Sequence, residues 1–182
     1  MPEKYKGKYK VKSNRLQGYD YSSEGAYFIT ICTAKHLIEF GEIINGKMIL
    51  NVSGNIVKQE LLKTQEMRKK AFIGEYSIMP NHIHFILFFG LEGFYPQLNN
   101  RLLQHADYKN KFGAQINNLS SLIRGFKSSC TSKILKTGNK SFAWQKNYYD
   151  VIIRNEKQFK IIENYIRNNP STWENDKFHK QK

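Results

Sequence analysis

Two histidines stand two residues apart in an apolar segment of the sequence, MPNHIHFILFF (79–89). Its aromatic and branched residues predict a buried β-strand, and a strand directs side chains i and i+2 to the same face. Neutral imidazole is the commonest metal-ligating side chain, whereas two buried imidazoles without partners would cost hydrogen bonds. The spacing of His82 and His84 therefore indicates a metal site, and two core histidines bonded to the backbone are the alternative interpretation.

A second pair of chemically useful residues occurs near the C-terminus, in YIRNNP (165–170). Helical spacing places Tyr165 and Asn169, four residues apart, on one face. Because a phenol has a pKa of about 10, Tyr165 reacts at neutral pH only beside a metal or basic groups. His82, His84 and the amide oxygen of Asn169 would form an incomplete ligand set that leaves positions open for phosphate oxygens. A half-buried tyrosine that packs on the sheet is the alternative interpretation of Tyr165.

Hydrophobic periodicity predicts the elements that must position these residues. Strands are predicted at 25–34, 71–80, 82–90 and the end of 141–154, a hairpin through Asn45-Gly46 at 42–50, and helices at 56–70, 117–136 and 155–170. Asn155, with Gln158 three residues later, is predicted to cap the last helix, which Pro170 ends. Because strands and helices interleave while two strands are adjacent, the order favours an α+β fold with a mainly antiparallel sheet and helices on one face.

The charge of the chain is strongly positive: 29 Lys and Arg residues outnumber 15 Asp and Glu residues, which gives +14. Such an excess indicates a polyanionic partner, either nucleic acid or an anionic membrane surface. Six of the basic residues fall in 1–15, which we interpret as a basic arm. We expect phosphate contacts from this arm and from the side of the 117–136 helix that lies off its apolar stripe. The predicted contacts are Lys10, Lys12, Arg15, Arg124 and Lys127.

Length and composition predict a single domain over 1–182, with 91–117 as a long, irregular connection. No apolar run reaches the length of about 20 residues that a membrane helix needs, and no signal peptide is recognisable. Cys32 and Cys130 are therefore expected to be reduced thiols in a cytoplasmic protein. The sequence also lacks the Gly-rich motifs that bind nucleotide phosphates and the acidic clusters of two-metal nucleases.

Several segments together resemble one family of enzymes. His-Ile-His at 82–84 resembles the HUH motif (histidine, hydrophobic residue, histidine) of single-strand DNA endonucleases. The segments SLIRGFKS, WQKNYYDVIIRNE and YIRNNP, with RLQGYDYSSEGAYFITICT, resemble the REP-associated tyrosine transposases, a branch of the single-tyrosine transposases of insertion sequences. The resemblance spans roughly residues 14–175, so it covers nearly the whole chain.

This resemblance implies a ferredoxin-like α+β sandwich with the histidines on a central strand. His82 and His84 match the metal-binding histidines, Asn169 matches the third ligand, and Tyr165 matches the nucleophile. The implied reaction cleaves and rejoins single-stranded DNA through a 5′-phosphotyrosine intermediate with Mg²⁺ or Mn²⁺. The implied partner is a DNA hairpin formed by a palindromic repeat, whose sequence stays open. A monomer with Tyr165 in cis and a homodimer with Tyr165 in trans both fit the family.

Two features of the sequence depart from the family pattern. Val151 follows Asp150 where many relatives carry histidine, and the connection 91–117 is longer than the family core requires. In addition, Tyr148 and Tyr149 are rival nucleophiles, and they occupy opposite faces if their segment is extended. At most one of the two is therefore expected to face the histidines.

Two other functions account for part of the same pattern. A replication-initiator-type HUH nuclease also combines the histidine pair with a tyrosine, but such proteins are usually larger and carry helicase or partner domains. A non-catalytic ferredoxin-like nucleic-acid-binding protein accounts for the charge and the sheet. It does not account for His82 and His84 occurring together with Tyr165 and Asn169. Trp173 and the basic tail after it have two interpretations, closure over the site or contact with DNA.

Overall fold

The computed structural model describes residue 16 and the ranges 19–69, 71–90 and 118–179. The predicted basic arm, with Lys10, Lys12 and Arg15, lies outside the described residues. The connection 91–117 lies outside them as well. The roles proposed for these two segments therefore stay predictions.

Nine strands and helices form the described part of the chain. In chain order they are β1 (Gly25–Cys32), β2 (Gly41–Ile44), β3 (Lys47–Leu50), α1 (Val52–Met67), β4 (Ala71–Ile78), β5 (His82–Phe89), α2 (Leu119–Lys136), β6 (Tyr149–Ile153) and α3 (Glu156–Asn168). Short 3-10 helices cover Ala34–His36 and Pro170–Asn175. Among the described residues, no helix combines the length and apolar character needed to cross a membrane.

The main sheet has four strands in the order β4-β5-β1-β6, and every neighbouring pair is antiparallel. The chain order β1-α1-β4 followed by β5-α2-β6 gives this sheet the ferredoxin-like arrangement. The predicted α+β class and the implied ferredoxin-like sandwich are therefore confirmed. The predicted hairpin forms a separate sheet of β2 and β3. Its turn holds Asn45 and Gly46 at φ 50° and 72°, the left-handed pair that a type I′ turn requires.

Both faces of the central strand β5 are apolar, and each face has its own helical cover. The side chains of Ile83, Phe85 and Leu87 belong to the large core cluster that includes apolar residues of α1 and α2. The side chains of Ile86 and Phe88 belong to a second cluster with residues of α3. The predicted placement of all helices on one face therefore holds for α1 and α2 but not for α3. The reason is that a strand apolar on both faces must be covered on both sides to exclude water.

Three helices begin at an asparagine that accepts a hydrogen bond from the backbone three residues later. The pairs are Asn51 with Gly54 N (2.9 Å), Asn118 with Ser121 N (2.9 Å) and Asn155 with Gln158 N (2.8 Å). The predicted cap of α3 is thus confirmed, whereas α1 begins at Val52 rather than at Ile56. The helical spacing of apolar residues starts only at Ile56, and Gly54 in this first turn is a weak helix former. A Cβ at Gly54 would lie 2.2 Å from the carbonyl oxygen of Phe40, so the close approach of the two segments requires glycine.

Candidate active site

Two buried imidazoles lie at the beginning of β5, a central strand of the sheet. His82 and His84 are 0% and 1% exposed, and their ring centroids lie 4.5 Å apart. Strand alternation directs both rings to the face that α3 covers. The side chains of the two residues therefore point in the same direction. They lie at the end of the sheet where Cys32 of β1 pairs with His82 of β5.

A neighbouring side chain holds one nitrogen of each imidazole. His82 Nδ1 lies 2.8 Å from Asn81 Oδ1, and His84 Nδ1 lies 2.8 Å from Thr30 Oγ1. Each ring is thereby fixed in orientation, with its Nε2 directed away from the strand that carries it. A hydrogen bond to the ring nitrogen that does not bind the metal is the usual means by which proteins orient ligating histidines.

Helix α3 brings Tyr165 to this histidine pair. The Tyr165 hydroxyl lies 3.3 Å from His84 Nε2, and its ring meets Phe28 edge-on at a centroid distance of 6.0 Å. Phe28 in turn stacks on His84 at 5.1 Å. Tyr165 is 40% exposed, so this residue lies at the boundary between the buried imidazoles and the solvent. Asn169, one helical turn later, is only 1% exposed.

An aspartate from the C-terminal segment completes the group of polar side chains. Asn169 Nδ2 donates a hydrogen bond to Asp176 Oδ2 at 3.1 Å. One ligating atom each from His82, His84 and Asp176 lies within 4.8 Å of the other two. Two imidazole nitrogens and a carboxylate oxygen thus meet at one point, and the Asn169 amide is hydrogen-bonded to that carboxylate.

Two buried polar atoms of these side chains have no hydrogen-bond partner. They are His82 Nε2 and Asn169 Oδ1. An unsatisfied buried polar atom costs about 1–3 kcal/mol, so proteins rarely keep two of them together without a purpose. A cation would satisfy both atoms, since each offers a lone pair. A mixed nitrogen and oxygen donor set of this kind fits a divalent metal ion.

The pKa values of the histidines favour the neutral, ligating form. Burial, with smaller contributions from His36 and Lys177, lowers the pKa of His82 to about 3. Burial and the neighbouring His82 place the pKa of His84 well below its ordinary value. Both rings are therefore uncharged at neutral pH, so their lone pairs remain available to a metal.

The pKa of Tyr165 is raised, whereas activation of a nucleophile requires a lowered pKa. Burial and then the carboxylate of Asp176 raise the pKa of Tyr165, against a smaller lowering effect of the hydrogen bond with Asn169. The phenol is thus protonated at neutral pH in the protein alone. Its activation needs additional positive charge at the site, which a bound divalent cation would provide.

Comparison with known proteins yields one close relative in sequence. No family model matches the chain. An uncharacterized protein of Haemophilus influenzae (strain ATCC 51907 / DSM 11121 / KW20 / Rd) is 39% identical over 180 residues. The match covers 98% of this chain and 99% of the relative. The two chains belong to one family.

The fold of this family also occurs in a protein of known structure. A REP-associated tyrosine transposase, solved bound to a REP hairpin, matches with a TM-score of 0.52 at 19% sequence identity. The match covers 82% of this chain and 68% of the transposase. The chain therefore has the fold of a REP-associated tyrosine transposase, which confirms at the level of the fold the resemblance found in its sequence.

The basic residues predicted on α2 lie on the other side of the sheet from the histidines. Arg124 is exposed, and α2 packs on the face opposite the one that α3 covers. Lys127 Nζ donates hydrogen bonds to the carbonyl oxygens of Gln145 (2.6 Å) and Lys146 (3.1 Å). Its ammonium group is thus held by backbone, so any contact of Lys127 with DNA would compete with these bonds.

The rival tyrosines occupy opposite faces, as expected for an extended segment. Tyr148 packs against the large core cluster. Tyr149 is paired with Thr30 in the antiparallel register, so its side chain lies on the histidine face. However, β6 is two strands away from β5, and strands are about 4.8 Å apart. Tyr149 thus lies about 10 Å from the histidine strand, while the Tyr165 hydroxyl lies within reach of His84.

Sequence reasoning missed Asp176 and Phe178, whereas it had named closure of Trp173 over the site as one of two interpretations. Asp176 has no periodic relation to a strand or helix, and the sole signal was an acidic residue within a basic tail. Phe178 and Trp173 lie against His82 at ring-centroid distances of 4.7 and 6.0 Å. Lys177 Nζ lies 4.7 Å from the centroid of the Phe178 ring. The segment after α3 therefore packs over the imidazoles, which corresponds to the first of the two interpretations of Trp173.

Proposed function

We propose that this protein is a metal-dependent tyrosine transposase of the HUH type, which cleaves and rejoins single-stranded DNA next to hairpins. The observation that carries the proposal is the position of the Tyr165 hydroxyl, 3.3 Å from His84 Nε2. His82 Nε2 and Asn169 Oδ1, which belong to the same group of side chains, are buried and have no hydrogen-bond partner. A nucleophile, a ligand set and a solvent boundary thus occur together.

The residues that would hold the cation are His82, His84 and Asn169, joined by Asp176. The resemblance of the chain to the transposases favours Mg²⁺ or Mn²⁺. A cation held there would supply Lewis-acid chemistry: polarisation of the scissile phosphate and stabilisation of the negative charge on the departing oxygen. The imidazoles and the amide are neutral. Among these four side chains, the carboxylate of Asp176 is therefore the one negative charge that would repel the anionic phosphate.

Tyr165 performs the covalent step. Its hydroxyl oxygen forms a bond to phosphorus, the bond from phosphorus to the 3′ oxygen breaks, and the 3′ oxygen takes up a proton. The phenol releases its own proton to water at the exposed edge of the ring. The products are a 5′-phosphotyrosine and a free 3′ hydroxyl, and attack by a second 3′ hydroxyl reverses the step and joins strands. The rings of Phe28 and His84 both contact the ring of Tyr165 edge-on and position it for these steps.

Two properties support single-stranded DNA with a hairpin as the substrate. The formal charge of +14 suits a polyanion, and the REP-associated transposase with the same fold was solved with a REP hairpin. The contact between Tyr165 and His84 within one chain supports a monomer with the nucleophile in cis. Cleavage would then require no second copy of the chain.

The experiment that tests the proposal is a covalent trapping assay. The protein is incubated with Mn²⁺ and labelled oligonucleotides that carry a palindromic hairpin with single-stranded flanks. An adduct that resists SDS, and that carries the 5′ end of the cleaved strand, is the expected result. A non-catalytic nucleic-acid-binding protein would instead retard the hairpin in a native gel and yield no adduct.

Replacement of Asp176 is expected to weaken metal binding. Asp176→Asn keeps one oxygen but removes the negative charge from the ligand set, so we expect affinity for Mn²⁺ to fall about tenfold, equivalent to about 1.4 kcal/mol. Isothermal titration calorimetry measures the change. Glu174→Gln, which neutralises an exposed carboxylate two residues earlier, is the matched control and is expected to bind Mn²⁺ like the wild type. Equal affinities for Asp176→Asn and the wild type would remove Asp176 from the ligand set.

Deletion of the basic arm is expected to change the salt dependence of DNA binding. Removal of 1–12 takes away five lysines, including Lys10 and Lys12. Each lysine that contacts a phosphate of a single strand contributes about 0.7 to the slope of log K against log salt. We therefore expect weaker binding to every single strand and a shallower slope, with the preference for the hairpin preserved. Fluorescence anisotropy over a series of salt concentrations gives the slope, and an unchanged slope would show that the arm does not contact DNA.

A further inference from the structure

Asn81, the residue before the first histidine, uses every polar atom of its buried side chain. Its Oδ1 lies 2.8 Å from His82 Nδ1, while its Nδ2 donates to the carbonyl oxygens of His36 (3.1 Å) and Phe178 (2.8 Å). The residue is 3% exposed. Its own carbonyl oxygen accepts hydrogen bonds from the backbone N–H and the hydroxyl of Thr33 at 2.9 and 3.0 Å. One asparagine thus joins three segments at the site.

These contacts determine which way the amide of Asn81 faces. Both partners of Nδ2 are backbone carbonyl oxygens, which only accept hydrogen bonds, so the donating nitrogen must face them. The amide oxygen must then face the ring of His82. Because an amide oxygen only accepts, His82 Nδ1 must carry the proton. His82 Nε2 is left with a lone pair, and this is one of the buried atoms without a partner.

The other histidine of the pair lacks such a constraint. His84 Nδ1 is held by the hydroxyl of Thr30 at 2.8 Å. A hydroxyl both donates and accepts, so Thr30 fits either tautomer of His84. Asn81 therefore determines the tautomer of His82, whereas His84 can adopt the tautomer that a bound ligand requires.

We propose that Asn81 is a positioning residue that prepares the metal site, by fixing His82 in the Nδ1–H tautomer and by holding the segment that carries Asp176. The second role follows from the bond of Asn81 Nδ2 to the carbonyl of Phe178, two residues after Asp176. Phe178 N also donates to Asp176 Oδ1 at 2.6 Å, which couples the carboxylate to the same turn. The inference rests on the proposed function only in that the prepared site is taken to bind a metal.

The tautomer of His82 can be measured without metal or DNA. Long-range ¹H–¹⁵N spectra of protein labelled at histidine distinguish the two ring nitrogens, and His82→Gln assigns the signals. We expect the Nδ1–H form for His82 in the wild type. Asn81→Ala is expected to release this preference and to lower the affinity for Mn²⁺ by about 10–100-fold, as loss of a residue that orients a ligand typically does. Asn139→Ala, whose amide donates to Glu39 at 2.7 Å, is the matched control and is expected to change neither.

A second variant separates the two roles of Asn81. Asn81→Asp keeps an acceptor for His82 Nδ1 but loses both hydrogen bonds to the carbonyl oxygens of His36 and Phe178. We expect the tautomer of His82 to be retained, while hydrogen exchange at the backbone amides of 176–179 becomes faster. Unchanged exchange in this segment would contradict the second role. If Asn81→Ala does not fold, as judged by circular dichroism, the wild-type tautomer and Asn81→Asp still decide the proposal.

The outcomes separate this inference from the proposed function. An Nε2–H tautomer for His82 in a wild-type protein that forms the covalent adduct would overturn the role of Asn81 and leave the transposase proposal standing. So would wild-type affinity for Mn²⁺ in folded Asn81→Ala. An Nδ1–H tautomer that is lost in Asn81→Ala, in a protein that forms no adduct, would support the role of Asn81 and contradict the transposase proposal.

Discussion

Tyr165→Phe is expected to abolish the covalent protein–DNA adduct while leaving hairpin affinity at the wild-type level. The substitution removes one oxygen and keeps the ring, so its contacts with Phe28 and His84 persist. A phenyl ring has no group that can attack phosphorus, so the covalent step is lost altogether. If Tyr165 were only a packing residue, loss of its hydrogen bond would cost about 1–3 kcal/mol of stability. Activity would then fall only in proportion to the folded fraction.

Two matched controls accompany this variant. Tyr149→Phe removes a hydroxyl from the same face of the sheet, and Tyr148→Phe removes one from the opposite face. Both proteins are expected to form the adduct, which is measured by denaturing gel electrophoresis after incubation with a labelled hairpin and Mn²⁺. An adduct in Tyr165→Phe together with none in Tyr149→Phe would assign the nucleophile to β6 instead of α3.

His82→Ala and His84→Ala are each expected to abolish metal-dependent cleavage and to leave hairpin binding largely intact. Each substitution removes a nitrogen from the ligand set at a buried site, where water cannot replace it easily. DNA affinity should persist because it derives mainly from the positive charge of the surface, which neither neutral imidazole contributes to. We therefore expect cleavage below detection in a protein whose hairpin dissociation constant changes by less than about a factor of a few, since the phosphate contacts that dominate affinity are retained.

Metal titration by calorimetry and circular dichroism complete the test of the histidines. In calorimetry, both variants should bind Mn²⁺ far more weakly than the wild type, and circular dichroism should show a folded protein. Cleavage at the wild-type rate by either variant would show that its imidazole is not a ligand. Loss of hairpin binding in a folded variant would instead place that imidazole in the DNA interface.

Local periodicity was sufficient to predict the pairs of residues that share a direction. His82 and His84 lie on one face because a strand repeats every two residues, and Tyr165 and Asn169 lie on one side of α3 because a helix repeats every 3.6 residues. The turn at Asn45-Gly46 was likewise readable, since few residues accept its backbone angles. Such features depend on neighbours in the chain, so they can be predicted from the amino-acid sequence.

The way in which these pairs meet depends on the packing of distant segments. Tyr165 and His84 are 81 positions apart, and their contact exists because α3 packs on the second apolar face of β5 and not beside α1 and α2. The apolar residues of β5 predicted a buried strand, but we had expected all helices on one face of the sheet. The same packing leaves Arg124 and Lys127 on the far side of the sheet.

The place of Asp176 at the site could not be predicted from the sequence, for a physical reason. It lies in an irregular segment, where no repeat relates one side chain to the next. Its position is set instead by hydrogen bonds to other parts of the chain, from Asn169 and through the turn at Phe178 that Asn81 holds. Local periodicity is therefore enough to predict the directions of the candidate site residues in strand and helix. The tertiary contacts of an irregular segment determined the residue that completes the site.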